Sequence, residues 1–449
     1  MTLSAKPTPR RAFSWDARKR EDEIGDDGSG GGLPPAPQPP AKGGRRAAPS
    51  RNSLRGLDWF AFFIADVQTG FGPFIAVYLT AQAWTQVDIG LLLTAGGLVA
   101  LAGQMPGGAI VDAARSERSV AALAVVAISL SALMLAAWPI FAIALAAKVL
   151  HSAASCVLGP AMAAISLGLV GHAAVGERLG RNARFAAIGN GLAAAAMGAC
   201  GYLLSNRAVF FLTAILIIPA LVALARIRPE EIDPVRAHGG VAAEPLRPRT
   251  SGFWRLLRNR PLFVLAACVA LFHLANAAML PLLGSIVTMR SSQWATVLIA
   301  ACIVVPQLAV AAFSPWVGRQ AQRWGRRPLL LIGFAALPIR GLLLALVTDP
   351  VLLVMVQLLD GITGAVLGVL VPLIVADATR GTGRFNLAQG IVGSAVGIGA
   401  ALSTTLAGYL IDHFGSRVTF LALAAVAAAG LALAFTLMPE TRSKEGESE

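Results

Sequence analysis

The hydrophobic positions of this chain gather into long runs bounded by charge, Pro or Trp, and the polar positions fall into short segments between them. An α-helix rises ~1.5 Å per residue, so about 20 apolar residues are needed to cross the ~30 Å hydrocarbon core of a bilayer. Twelve runs of that kind are predicted as spans 1 to 12. They extend from Leu57 to Thr80, Val87 to Val111, Val120 to Trp138, Ile140 to Val170, Phe185 to Ser205, Val209 to Ala225, Leu262 to Thr288, Trp294 to Val317, Leu329 to Val347, Val351 to Ala376, Phe385 to Ile411 and Val418 to Met438. Span 4 is long enough to project beyond the bilayer. The expected fold class is an all-α membrane protein.

Composition sharpens the picture. The 449 residues are 56% hydrophobic and 14% charged, too little charge to cover a water-soluble globule, so lipid is the expected solvent. The formal net charge of +13 would suggest nucleic acid in a soluble protein. Here the basic residues sit between apolar runs and read as topology signals facing anionic lipid, which excludes nucleic acid as a partner. With the N-terminus inside, cytoplasmic segments hold 32 of the 37 Lys and Arg residues, the outer loops hold three (Arg207, Arg290, Arg417) and two are intramembrane (Lys148, Arg340). Both termini are therefore expected in the cytoplasm, and the chain in the inner membrane as a multi-pass monomer. Seven of the eight tryptophans fall near span ends. Cys156, Cys200, Cys268 and Cys302 lie inside apolar runs as packing residues, without metal-site spacing. No metal, cofactor or catalytic cluster is implied.

The expected organisation is a disordered basic tail over residues 1–55, a six-helix bundle over 56–225, a Pro-containing linker over 226–260, a second bundle over 261–438 and a short tail over 439–449. The two bundles repeat weakly. Gln68 and Pro73 of span 1 correspond to Asn276 and Pro281 of span 7, and KVLHSAASCVLG from Lys148 to QLLDGITGAVLG from Gln357. RF at Arg184 recurs at Arg384, and GYL at Gly201 recurs at Gly408. The loops after spans 2 and 8 carry GAIVDAARSER and GRQAQRWGRRP: Gly108, Asp112, Arg115 and Arg118 in the first, Gly318, Arg323, Gly325, Arg326 and Arg327 in the second, with Gln322 where an acid is usual. Two six-helix halves and this paired loop motif resemble the major facilitator superfamily over about residues 57 to 440. The resemblance implies a secondary active transporter whose paired loops latch the halves together on the cytoplasmic side. In physical terms, a glycine permits close helix approach, a carboxylate can sit at a helix N-terminus, and arginines tie the loop to lipid phosphates and helix C-termini. A plain positive-inside loop is the alternative.

Ionisable groups at mid-bilayer cost ~2.5–3.5 kcal/mol each on insertion scales, so those present are candidates for a substrate or proton site. Asp66 of span 1 and Lys148 of span 4 match in depth, as do His273 of span 7 and Asp360 of span 10. The resemblance places all four on cavity helices, with His151, Gln68, Asn276 and Gln357 as further cavity candidates. Packing offers an alternative in each case: a structural Asp66–Lys148 salt bridge, core histidines, and amides as interhelical glue. Arg340 is expected to snorkel to the outer interface. Span 5 lacks the Gly-Pro element of many drug and proton antiporters. The expected function is proton-coupled export of a small organic solute by alternating access, with proton-symport uptake and a transporter-like membrane sensor as alternatives.

Overall fold

The computed structural model describes residues 48–69, 73–240, 256, 258–283 and 292–442. The tail expected over residues 1–47 and the side chains of Asp66 and Gln68 lie outside the described set. Among the described residues nine helices are long and apolar enough to cross a membrane. Phe141–Leu203 holds spans 4 and 5, and Phe385–Leu437 holds spans 11 and 12. Span 1 is described as Arg51–Thr69 and Pro73–Ala81, which completes the twelve.

The two double spans turn at glycines. Gly171 (φ 71°, ψ 177°) and Gly415 (φ 76°, ψ 171°) adopt a backbone that a β-carbon would strain, so the chain reverses there without an intervening coil. Span 5 therefore starts straight after Gly171, and the polar stretch 172–184, expected as a loop, is helical. Span 1 also starts early, at Arg51, where Ser50 Oγ accepts from the Ser53 amide at 3.2 Å. Residues 51–55 thus belong to a helix and not to the tail. The Ser50 amide donates to the Glu231 carboxylate at 2.9 Å, tying this start to the linker. Other starts are capped by side chains: Ser116 for span 3, Asn259 for span 7 and Asp349 for span 10.

Apolar packing forms two large cores and a small third cluster. One large core gathers residues from Leu57 to Ala237, the other mainly residues from Leu262 to Met438, joined by Ala163, Leu167, Val175 and Leu179 of the first half. Ala193, Met197 and Val209 of spans 5 and 6 form the third. Hydrogen bonds join the Ser50 end, the linker, the loops after spans 2, 8 and 10, and Arg442 on one face of the molecule, called the terminal side below.

The halves meet on that side through glycines related by a constant offset. A β-carbon on Gly108 of span 2 would fall 2.0 Å from the Asn386 carbonyl of span 11, and one on Gly318 of span 8 would fall 2.3 Å from the Gly176 carbonyl of span 5. A turn deeper, Gly390 meets Gln104 and Met105, and Gly180 meets Ser314 and Pro315. The offsets 318 − 108, 386 − 176, 390 − 180 and 314 − 104 are all 210. The two crossings, span 2 on 11 and span 8 on 5, are copies of one contact related by the internal repeat. This register also shows that the RF repeat, at an offset of 200, does not pair equivalent positions: Arg384 immediately precedes span 11, whereas Arg184 lies well inside the span 5 helix. Beyond Gly397 and Arg184 the same faces become exposed, at Leu98, Ala401, Ile188 and Leu308. The halves are closed together on the terminal side and parted on the other.

Candidate functional site

Between the parted faces lies a cavity of about 470 Å³ lined from both halves. Its polar lining is a set of neutral amides: Gln104 of span 2, Asn182 and Asn190 of span 5, Gln307 of span 8 and Gln389 of span 11. Small or helix-distorting residues, Gly159, Pro160, Gly364 and Pro372, keep spans 4 and 10 from filling it. A second space of about 420 Å³ shares Gln307, Gly364 and Pro372 with the first and runs into the second half between spans 7, 8, 10 and 11, where His273, Asn276 and Asp360 line it.

Asp360 is the charged end of this space. Arg340 of span 9 donates to Asp360 Oδ1 at 2.6 Å, to Asn276 Oδ1 at 2.5 Å and to Gln357 Oε1 at 2.7 Å. Its side chain is 1% exposed, whereas that of Asp360 is 26% exposed. The expectation that Arg340 snorkels is overturned. A guanidinium has five N–H donors, and here one carboxylate and two amide oxygens from spans 7 and 10 accept from Nη1 and Nη2, while the buried Nε has no partner among the described residues. At Gly341 a β-carbon would lie 2.8 Å from Ala424 of span 12, which brings span 9 close against the core. The sequence signal for Arg340 was present in its three acceptors, all polar in apolar helices.

Of the first-half candidates, Lys148 and His151 are described. Lys148 lies against span 2, where a β-carbon on Gly96 would fall 2.5 Å from its Cε, and His151 is buried with Nε2 3.4 Å from Ser155 Oγ. Neither residue lines the two spaces above. The five lining amides escaped the sequence reading because uncharged side chains in a Gly- and Ala-rich helix carry no distinct pattern.

On the terminal side, Asp112 ends span 2 with its carboxylate at the start of span 11. It accepts from the Asn386 amide at 3.2 Å, the Asn386 side chain at 2.9 Å and the Leu387 amide at 2.8 Å. The acceptor thus fills orphan donors at a helix N-terminus belonging to the other half. Gln322, its counterpart at the offset of 210, accepts from Arg326 Nη1 at 3.2 Å, and its buried Nε2 has no partner among the described residues. The acid missing from this loop is supplied in part by Glu440 after span 12, which accepts from the Arg326 and Arg327 amides at 2.9 and 3.0 Å. Gly325 adopts φ 92° at this junction. Arg326 is buried on Asp377 and the Ala321 carbonyl, at 2.9 and 2.7 Å, so it serves a helix C-terminus and not lipid phosphate. Arg115 and Arg323 are exposed and Arg118 is half-buried.

Glu117 and His238 were not singled out in the sequence. His238 Nε2 of the linker is 3.2 Å from the buried Glu117 carboxylate at the start of span 3, while its carbonyl accepts from the Phe385 amide at 3.3 Å. Contact with Glu117, together with the charges of Glu117 and Asp112, raises the His238 pKa against the opposing effect of burial. A raised value means the contact is fully stabilising below the ordinary histidine range near ~6.5 and is lost as pH rises through the raised value. Thermal stability of the wild type is expected to fall as pH rises through and above that range, and His238→Gln to flatten the profile. An identical slope in both would remove His238 from the junction's energetics.

Asp112→Asn is expected to reduce transport more than Gln322→Asp, because a charged acceptor of hydrogen bonds contributes about 1.5–3 kcal/mol and position 322 holds no carboxylate to lose. Initial transport rates of the two variants check this. Equal rates near wild type would reduce the motif to a basic loop.

The family model for the Major Facilitator Superfamily matches residues 59–306 and 284–449. An uncharacterized MFS-type transporter of Mycobacterium tuberculosis is 40% identical over 393 residues, 86% of this chain and 93% of its own. The class B tetracycline resistance protein of Escherichia coli is 34% identical over 107 residues, 24% of this chain and 25% of its own. The solved structure of the proton:xylose symporter XylE has the same fold, with a TM-score of 0.65 over 87% of this chain and 96% of that one at 14% identity. With twelve spans in two repeated halves around a shared cavity, this multi-pass membrane protein belongs to the major facilitator superfamily of transporters.

Proposed function

We propose that the chain exports a small organic solute across the cytoplasmic membrane by alternating access, coupled to proton entry. The observation that carries this reading is Asp360: a partly exposed carboxylate paired with a buried arginine, lining the second-half space that shares Gln307, Gly364 and Pro372 with the inter-half cavity. An ionisable side chain at membrane depth is costly and marks a candidate coupling site, and Asp360 is reached from the space that His273 and Asn276 also line. The amides Gln104, Asn190, Gln307 and Gln389 supply donors and acceptors for a neutral or weakly charged solute, and the buried Nε2 of Gln389 has no hydrogen-bond partner among the described residues. The excess of Lys and Arg on the terminal side supports a cytoplasmic location for it, so that the arrangement described above faces outward. Export is favoured over uptake by the partial likeness to a tetracycline resistance protein, which spans a quarter of that chain. An Asp66–Lys148 pair remains a proposal for a second charged locus in the first half.

A test is a compound panel on a strain lacking its own export pumps. Expression of the wild type is expected to lower sensitivity to a subset of compounds, and expression of Asp360→Asn to leave that sensitivity unchanged. A strain that instead gains growth on a scarce solute would replace export with uptake.

A further inference from the structure

We propose that a basic cavity on the rim of the first half, separate from the central one, binds the phosphate-bearing headgroup of an anionic lipid. The cavity is about 450 Å³ and is lined by Arg51 and Arg55 of span 1 and by Glu177, Arg178 and Arg181 at the start of span 5, with Leu54 on its apolar wall. Behind it, the buried carboxylate of Asp58 takes Arg178 Nη2 and both Arg181 Nε and Nη2, the last at 2.6 Å. Arg178 Nε also donates to Asn182 at 2.9 Å. One carboxylate thus holds two guanidinium groups in place, and four arginines against Asp58 and Glu177 leave a formal excess of +2. Arg181 is still 54% exposed, and Arg51 and Arg55, one turn apart, are exposed.

The depth of the cavity selects the ligand. One turn beyond Arg55 on the same helix face stands Trp59, 45% exposed and packed on Phe62, Phe63 and Phe185. An amphipathic ring cluster of this kind sits at the boundary of headgroups and acyl chains. The arginines therefore lie at phosphate level, with an aromatic surface directly below for the chains. A phosphodiester offers oxygens at the spacing a guanidinium fork engages, and basic pockets between spans suit such headgroups. Free phosphate shares the charge and the oxygens but not the aromatic surface.

The full chain in mild detergent, titrated with phosphatidylglycerol, phosphatidylcholine or inorganic phosphate and read by native mass spectrometry, tests this. Phosphatidylglycerol is expected to bind at least about tenfold tighter than phosphatidylcholine, and Arg51→Gln/Arg55→Gln to remove the difference while Arg115→Gln/Arg323→Gln, equal in charge, keeps it. Millimolar phosphate should not displace the lipid. Equal binding of both lipids, or equal loss in both double variants, would overturn the proposal. Displacement by phosphate would make this a free-anion site. Tighter lipid binding after removal of residues 1–47 would assign the cavity to that segment's acidic stretch around Glu21 to Asp27.

Discussion

Asp360→Asn is expected to abolish coupled transport and to lower the stability of the second half. The substitution leaves Arg340 buried with its charge uncompensated, and breaking a buried pair by removing one partner costs about 3–5 kcal/mol. A neutral amide at 360 still accepts one hydrogen bond, so the loss is in charge and not in geometry. The double variant Asp360→Asn/Arg340→Gln removes both charges and is expected to recover most of the thermal stability, since Gln at 340 retains a donor for Asn276 or Gln357. It should not recover transport, because the carboxylate is gone. Thermal unfolding in detergent and transport in the same preparations separate the two roles. Recovery of both stability and transport in the double variant would make the cluster a packing device.

The second large effect is expected from the terminal-side crossing. Ala at Gly108 or Gly318 brings a β-carbon to 2.0 or 2.3 Å from a backbone carbonyl of the other half, a distance that side-chain rearrangement cannot relieve. Overpacking costs about 1–3 kcal/mol, and each 1.4 kcal/mol is a factor of ten in population. Because the clash exists only when the halves are closed on this side, the variants should favour the alternative arrangement instead of unfolding. Spin labels at the exposed positions 115 and 323, one in each half, are expected to report a single short distance in the wild type and a longer one in Gly108→Ala/Gly318→Ala. Ala at Gly97 of the same helix, where a β-carbon meets nothing within 4 Å, should leave the distance unchanged. Unaltered distances in the double variant would remove the glycines from the closure.

The architecture was readable from the sequence because bilayer crossing requires long apolar runs, and the paired loops revealed the repeat. Boundaries failed where that requirement lapses. The polar helix 172–184 needs no hydrophobicity, since it projects on the terminal side and is held by Arg178 on Asp58. Gly108 and Gly318 stood out through their common motif, whereas Gly176, Gly180 and Gly390 acquire meaning only from the partner backbone that each meets across the interface. The candidate site divides in the same way. Asn276, Gln357 and Asp360 were conspicuous as polar residues in apolar helices, but the snorkelling expected of Arg340 rested on the peripheral place that the resemblance gives span 9. Side-chain direction is a tertiary property, and three acceptors on two neighbouring helices determine it here.

The proposed proton-coupled export through Asp360 is most directly tested in everted membrane vesicles, where an exporter would pump its solute into the lumen. With a compound that the wild type protects against, respiration-energised vesicles are expected to accumulate it, to release it when a proton ionophore collapses the gradient, and to show neither behaviour with Asp360→Asn. Accumulation that survives the ionophore, or that persists in the Asp360→Asn vesicles, would contradict the account.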